Sequence, residues 1–281
     1  MSTTQKSAPL FHVSAFSPNP FAGNPAAVVL LESARETAWM QNVAAEMNLS
    51  ETAFVYTDQD QLRLRWFTPA VEVDLCGHAT VATAFVMREL AQDGCLPEYL
   101  APFWKHGCVQ FVSRSGILTA ESSPGGITLD FPATCVEQAK IPEGLLEALG
   151  VRSSDLKFCG RSRFDFLIHV ASAEIVRGIK PMMESLSKLP VRGIIVTSLG
   201  DAADHDIISR FFAPAAGVNE DPVTGSAHCA LAPYWVPEFG RSTLFGFQAS
   251  HRGGHVRMEL VGDRVRLSGA AVMVSQGELL V

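Results

Sequence analysis

Five side chains in this sequence could move a proton or bind an anion: Glu51, Cys76, His78, Asp221 and Ser226. Carboxylate, imidazole and thiol groups serve as general acids and bases, and a serine hydroxyl binds ligands by hydrogen bonding. Glu51 lies in the segment 48–54, a polar interruption between a predicted helix and a predicted strand at residues 54–56. From such a junction its carboxylate could reach into a cleft, although a helix cap or a solvent-exposed acid would also fit the local sequence.

The other candidates also have simpler explanations. Asp221 precedes Pro222, which restricts its backbone to extended conformations, so it is either a functional acid or a turn residue. His78 could donate a proton near neutral pH, or it could only hydrogen-bond locally in the first turn of a helix. Ser226 is an ordinary residue of a helix start unless a cleft lies beside it.

Two glycines open apolar segments with a helical pattern. Gly77 follows Cys76, and Gly225 follows Thr224. A glycine lets the backbone pack closely against a ligand, and the first N–H groups of the helix that follows lack internal partners and carry the positive end of its dipole. Each helix start could therefore bind a carboxylate or an oxyanion. Two such starts facing each other across a cleft would hold a small anion from both sides.

A weak internal repeat links these two glycines. The tetrapeptide FTPA at residues 67–70 is matched by FAPA at residues 212–215, and each copy is followed within about a dozen residues by Gly-x-Ala and an apolar helix. Two short matches could be coincidence. The shared order of strand, loop, glycine and helix favours a duplicated domain, and self-similarity of this kind is sought before any fold is assigned.

The elements that must position these residues are short strands and a few helices. A capping box, Ser33 with Glu36, predicts the start of a helix that runs through Met47, and an apolar pattern on nearly every face predicts a buried helix at residues 78–90. Alternation and short apolar runs predict the strands and a final hairpin, at residues 11–16, 26–31, 62–66, 109–112, 117–121, 127–131 and 256–267. Many strands with one long helix in each half indicate an α+β fold.

The composition excludes several classes of protein. The chain has 281 residues and a net charge of −7, so it lacks the basic surface that nucleic acid attracts. No apolar stretch approaches the roughly 20 residues that span a bilayer, and the start of the chain lacks the basic and apolar regions of a signal peptide. We therefore expect a cytoplasmic protein with no membrane or nucleic-acid partner.

Metal and nucleotide motifs are also missing. The eight histidines show no HExxH pairing, and there is no Walker A loop, no GxGxxG and no GxSxG elbow. The six cysteines include no CxxC pair, which argues against a zinc site. We expect no metal and no cofactor.

Taken together, four segments resemble the PhzF-like (phenazine biosynthesis) family. They are residues 16–27 (FSPNPFAGNPAA), 49–54 (LSETAF), 67–69 (FTP) with 76–80 (CGHAT), and 220–228 (EDPVTGSAH). They span nearly the whole chain in the order of the family. One such segment alone would be weak, but four in register are specific.

The resemblance implies the diaminopimelate-epimerase fold, with two similar domains that each wrap a mostly antiparallel sheet round a central helix, and an active site in the cleft between them. We expect domains at residues 1–118 and 119–270, with a last strand at 271–281 returning to the first. By the same resemblance Glu51 moves the proton, and His78, Asp221 and Ser226 position the substrate or share in proton transfer. Gly77, Gly225, Cys76 and Asn24 are expected to line the substrate site.

The implied activity is a cofactor-independent isomerisation of a small carboxylate, best known for a dihydro-hydroxyanthranilate, in a homodimer. Two alternatives stay open. An epimerase would use a cysteine before each helix glycine, but Thr224 stands in the second place, so only a one-thiol variant using Cys76 with an acid is considered. A metabolite-binding protein without turnover is the other alternative, although it would have no need of Glu51, His78 and Asp221.

Overall fold

The computed structural model describes residues 7–280, and they form two compact units. The first unit comprises residues 7–130 and 268–280, and the second is Phe131–Leu267. The division after Asp130 lies later than the expected 118/119 boundary and falls within the strand Gly126–Pro132. The return to the first unit, at Ser268, comes slightly before the expected residue 271. Val281, expected to end the last strand, lies outside the described residues.

The first unit is built on a mostly antiparallel sheet. Its strands are β1 Ala8–Ala15, β2 Asn24–Leu31, β3 Glu51–Asp58, β4 Gln61–Phe67, β5 Glu72–Val73, β6 Cys108–Ser113, β7 Gly116–Ser123, β8 Gly126–Pro132 and β17 Ala271–Leu279. The pairs β17–β1, β1–β2 and β3–β4 are antiparallel, while β2 and β3 are parallel. The hairpin strands β6, β7 and β8 are also antiparallel.

Two helices cover opposite faces of this sheet. Helix α1 (Thr37–Met47) packs Met40 and Val43 against Phe54 of β3 and its neighbours. Helix α2 (Gly77–Gln92) is buried from His78 to Met87, as expected of a helix that is apolar on nearly every face. A short 3-10 turn, Ala101–Phe103, follows it.

The second unit repeats this plan. Its strands are β9 Glu137–Gln138, β10 Leu156–Arg161, β11 Asp165–Val170, β12 Gly193–Ala202, β13 His205–Phe212, β14 Thr243–Gln248, β15 Gly254–Val261 and β16 Arg264–Gly269. The pairs β11–β12 and β13–β14 are parallel, and the pairs β9–β10, β10–β11, β12–β13 and β14–β15 are antiparallel.

The central helix of the second unit is α6 (Gly225–Phe239), whose first half is buried from Ala227 to Ala232. It continues through Pro233 and Pro237, which lack the N–H group that a helix interior uses. The remaining helices are short: α3 Leu145–Leu149, α4 Ala173–Gly178 and α5 Met183–Ser187, with 3-10 turns at Ser153–Asp155 and Pro214–Ala216.

The structure confirms the α+β class and the repeated order of strand, loop, glycine and helix. One local prediction is wrong. Helix α1 begins at Thr37 with Glu36 as its N-cap residue, and the Glu36 side chain makes no capping hydrogen bond within the described part of the chain. Among residues 7–280, no helix has both the length and the apolar character needed to cross a bilayer.

Candidate active site

Glu51 is placed by the pairing of two parallel strands. It is the first residue of β3 and lies opposite Ala26 of β2. Side chains alternate between the two faces of a strand, and Phe54 and Tyr56 face α1, so Glu51 faces the other side. The same alternation puts Asn24, at the start of β2, on the face and the edge of the sheet where Glu51 lies.

The loop before Asn24 is held in a defined shape. Gly23 has a φ of 69°, and a Cβ there would lie only 2.2 Å from the carbonyl oxygen of Ala15. Only glycine fits such a position. The Ser17 hydroxyl accepts a hydrogen bond from the backbone N–H of Asn19 at 3.0 Å. This loop therefore fixes where the buried Asn24 enters the sheet.

Glu51, His78 and Cys76 form one hydrogen-bonded cluster at the start of α2. One carboxylate oxygen of Glu51, Oε2, lies 3.1 Å from Nε2 of His78. The other ring nitrogen, Nδ1, lies 3.5 Å from Sγ of Cys76. The side chain of His78 is 7% exposed and that of Glu51 is 17% exposed. Oε1 of Glu51 has no hydrogen-bond partner among the described residues, so one carboxylate oxygen is held and the other is available.

The pKa values in this cluster are coupled through His78. Burial alone would lower the pKa of His78, but the Cys76 sulfur and the Glu51 carboxylate raise it well above its usual value of 6.5. Burial, together with the Glu51 carboxylate, raises the pKa of the Cys76 thiol. At neutral pH the arrangement is thus an imidazolium between a carboxylate and a neutral thiol.

The same three side chains could also be the ligands of a metal cation, since their ligand atoms lie within 4.8 Å of one another. Zn²⁺ binds cysteine, histidine and carboxylate ligands in proteins. However, both ring nitrogens of His78 already have hydrogen-bonding partners, one on each side. We therefore interpret the cluster as a hydrogen-bonded relay, and the expectation of a metal-free site stays a prediction.

In the second unit, hydrogen bonds among Thr224, Gln248 and Asp221 fix the start of α6. Thr224 donates its hydroxyl proton to Oδ2 of Asp221 at 2.5 Å. The fully buried Gln248 accepts from the backbone N–H of Thr224 at 2.9 Å and donates to the backbone carbonyl of Asp221 at 2.7 Å. These bonds hold the segment before Gly225 in one conformation, so the first N–H groups of α6 have a fixed direction.

Ser226, in the first turn of α6, contacts an arginine. Nη2 of Arg192 donates to the Ser226 hydroxyl oxygen at 3.1 Å. The same guanidinium binds both carboxylate oxygens of Asp165, with Nε 2.9 Å from Oδ1 and Nη2 in contact with Oδ2. Burial raises the pKa of Asp165, against the opposing effect of Arg192.

A second buried histidine, His228, lies one turn into α6. Its Nδ1 is 2.8 Å from the carbonyl oxygen of Thr224 and therefore carries the proton. Its Nε2 is buried without a hydrogen-bond partner among residues 7–280. Burial lowers the pKa of His228 to about 4, so this ring is neutral at physiological pH.

Comparison with known proteins shows the family to which the chain belongs. A sequence model described as "Phenazine biosynthesis-like protein" matches residues 13–277. An uncharacterised isomerase of Halalkalibacterium halodurans is 46% identical over 97% of this chain and 98% of its own length. The chain belongs to the PhzF (phenazine biosynthesis-like) family. It is therefore an isomerase of that family.

Solved structures support the fold of this PhzF-family isomerase. The crystal structure of a phenazine biosynthesis protein, PhzF family, from Enterococcus faecalis superposes with a TM-score of 0.87 at 38% identity, covering 98% of this chain and 100% of the other. A predicted epimerase from Pseudomonas aeruginosa superposes with a TM-score of 0.70 at 21% identity, covering 98% and 99%. The second likeness confirms the epimerase-like fold alone.

The structure brings most of the predicted site residues of this PhzF-family chain into two groups. Glu51, Cys76, Gly77 and His78 meet at the start of α2, with Asn24 at the same sheet edge. Asp221, Gly225 and Ser226 meet at the start of α6. That the two groups face one cleft stays a prediction.

Sequence reasoning missed Arg192 and Asp165. They are 27 residues apart in the sequence, and Arg192 is 34 residues from Ser226. Neither belongs to a recognisable motif. The signal that could have found them is a charged pair at the starts of β11 and β12, which are parallel neighbours and so begin at the same edge of the sheet.

Proposed function

We propose that this PhzF-family isomerase moves a proton between carbon atoms of a small carboxylate without a cofactor, with Glu51 as the general base and acid. The supporting observation is that the buried His78 holds Oε2 of Glu51 at 3.1 Å. Holding one oxygen fixes the carboxylate, and the second oxygen is left to meet a C–H bond. Proton transfer by a positioned carboxylate contributes on the order of 10²–10⁴ in rate.

In the proposed reaction, Oε1 of Glu51 removes a proton from one carbon of the substrate. The electron pair moves into the conjugated acid group, and the same proton returns to a different carbon. No bond other than C–H and the carbon–carbon double bond is remade, so no oxidant or reductant is needed. His78 steadies Glu51 in both directions, because the imidazolium stabilises the carboxylate before and after the transfer.

The start of α6 supplies the groups that would bind the substrate anion. Backbone N–H groups at the start of a helix, together with a serine hydroxyl, stabilise a carboxylate or an enolate oxygen. Asp221 remains a candidate for proton transfer, although Thr224 occupies one of its oxygens. Homodimer formation and a cytoplasmic location stay predictions.

The decisive experiment follows the proton. Wild type, Glu51→Gln and the control Glu46→Gln, which alters an exposed acid of α1, are incubated in D₂O with a dihydro-hydroxyanthranilate and with a panel of unsaturated carboxylates. Proton NMR then measures turnover and deuterium uptake. We expect Glu51→Gln to lose turnover by about 10²–10⁴ while it still binds the substrate or its analogues. Turnover that survives in Glu51→Gln removes this role from Glu51.

A one-thiol epimerase is the second candidate, because Cys76 lies 3.5 Å from the same His78 ring. In that reaction Cys76 and an acid would act on the two faces of one carbon. Inversion of a chiral carboxylate, with both Cys76→Ser and Glu51→Gln inactive, would favour this alternative. An absence of both product formation and deuterium exchange with every carboxylate tested would favour a binding protein without turnover.

A further inference from the structure

Arg192 is held in place more firmly than a surface arginine needs to be. Its Nε and Nη2 atoms bind the two oxygens of Asp165, whose side chain is 2% exposed. Such forked pairs fix the plane of the guanidinium as well as its position. Asp165 is the first residue of β11, and Arg192 immediately precedes β12, so the sheet itself sets the position of both.

Two aromatic rings pack against the guanidinium group of Arg192. The guanidinium carbon lies 5.2 Å from the ring centre of Phe164 and 5.5 Å from that of Phe211. Guanidinium groups pack favourably on aromatic faces. Gly193 makes room for the second ring, since a Cβ there would lie 2.4 Å from the Phe211 ring. The side chain therefore has little freedom, although 38% of it is exposed.

The remaining donors of Arg192 point to a ligand. A guanidinium cannot accept a hydrogen bond, so the Ser226 hydroxyl accepts from Nη2. The hydroxyl proton of Ser226 is then free to donate elsewhere. Nη1 of Arg192 makes no hydrogen bond or ion pair within the described chain. Both side chains thus have a donor to offer a ligand, and Asp165 offsets the charge of the arginine when no ligand is bound.

We propose that Arg192 is the specificity-determining residue that makes the enzyme require a negatively charged group on its substrate. Nη1 and the Ser226 hydroxyl bind the oxygens of that group. Asp165 and the two rings hold the guanidinium in a fixed position and orientation. This inference rests on the proposed isomerase function, and it assigns the discrimination of a carboxylate from its amide or ester to Arg192. Asp165 acts only through Arg192 and is a positioning residue.

The test measures binding rather than turnover, with benzoate as a stable ring carboxylate and benzamide as its uncharged counterpart. Amide NMR shifts of ¹⁵N-labelled protein give both the affinity and the place of binding. The variants are Arg192→Gln and the double variant Asp165→Asn with Arg192→Gln, which avoids leaving a buried carboxylate without its partner. Arg163→Gln is the control, because Arg163 packs on the same Phe164 ring at 5.2 Å and has no hydrogen bond or ion pair with other described residues.

We expect wild type and Arg163→Gln to bind benzoate at least about tenfold more tightly than benzamide, with shifts at Gly225 and Ser226. A hydrogen bond to a charged group contributes enough for that ratio. Both Arg192 variants should bind the two probes equally. Equal affinities in the wild type, shifts elsewhere, or an unchanged preference in the double variant would overturn the proposal. Glu51→Gln should keep the benzoate preference, so failure of the isomerase reaction and failure of this inference give different results.

Discussion

The starts of α2 and α6 share a backbone and differ in chemistry. In each, an extended residue precedes a glycine that opens a buried helix, with φ of −144° at Cys76 and −111° at Thr224, and neither side chain caps the helix. At α2 the neighbouring groups are a thiol, an imidazole and a carboxylate. At α6 they are a hydroxyl, an amide and a carboxylate that already binds Thr224. The repeat thus supplies two similar helix starts, and because of the residues that flank them we propose the proton carrier at only one.

The two buried histidines show the same division. Beside the α2 start, the contacts of His78 with the Cys76 sulfur and the Glu51 carboxylate raise its pKa above the usual value despite its burial. Inside α6, the one hydrogen-bond partner of His228 among residues 7–280 is a backbone carbonyl, and burial lowers its pKa to about 4. Burial therefore does not decide the charge of a histidine by itself. The nearest ionisable groups decide it.

The largest expected effect is a difference in turnover between variants of the two acids, Glu51 and Asp221. Asp221→Asn should lower turnover by about tenfold or less, against about 10²–10⁴ for Glu51→Gln. The reason is that Glu51 pairs with the ring of His78, which can stabilise its charge, whereas Asp221 accepts a hydrogen bond from the neutral hydroxyl of Thr224. The measurement is kcat for both variants on the same substrate. Equal losses would mean that both helix starts carry protons.

The next effect concerns the stability of the second unit in acid. An unfolded histidine gains its proton near pH 6.5, whereas His228 in the folded protein resists it down to about pH 4. Stability from this group is complete above pH 6.5 and is lost as the pH falls towards 4. A difference of about 2.5 pKa units corresponds to roughly 3 kcal/mol.

Urea denaturation of wild type and His228→Gln at pH 7 and pH 4 measures this loss. The variant should show a flatter decline, because its side chain does not titrate. The control is His251→Gln, which alters an exposed loop histidine and should follow the wild type. Parallel declines for wild type and His228→Gln would contradict the buried neutral ring.

The opposite pH dependence is expected at His78. Its folded pKa is raised above the unfolded value near 6.5, so its contribution is complete below about pH 6.5 and is lost as the pH rises through the raised value. At pH 6, His78→Gln should cost about 2 kcal/mol, as expected for a hydrogen bond between charged groups. At a pH above the raised pKa the cost should be smaller. A pH-independent difference in unfolding free energy would show that His78 and Glu51 do not form an ion pair.

The smallest effect is expected at Cys76. Burial raises its pKa, so the thiol is neutral near pH 7 and contributes to the cluster only as a weak partner of His78. Cys76→Ser should change kcat by less than about tenfold, or roughly 1.4 kcal/mol. A loss as large as that of Glu51→Gln would identify a working thiol and support the epimerase alternative.

Much of the fold could be predicted from local patterns. The apolar run at residues 26–31 and the alternation at residues 62–66 predicted β2 and β4, because side-chain period follows strand geometry. The buried helix α2 was predicted because its apolar residues cover nearly every face. The start of α1 was not, since the spacing of Ser33 and Glu36 fits a capping box while the chain enters the helix only at Thr37. Caps depend on the preceding backbone, which the spacing does not determine.

The candidate site divides in the same way. Motifs predicted Glu51, His78 and Cys76, whose contacts the structure shows. Arg192 could not be found, because its partners Asp165, Phe211 and Ser226 come from separate parts of the second unit. The pairing of β11 with β12 brings Asp165 to Arg192, and the pairing of β12 with β13 brings Phe211. Residues that act through long-range contacts carry no local pattern, so they need coordinates.

The pairing of β17 with β1 has a consequence for how the molecule is made. Pro9 lies opposite Glu278, and the two strands stay paired along their length. On the ribosome, the first unit must therefore wait for residue 279 before its sheet can close, even though it holds Glu51 and His78. The second unit, continuous from Phe131 to Leu267, can fold earlier, so the start of α6 is assembled before Glu51 and His78 have their final neighbours.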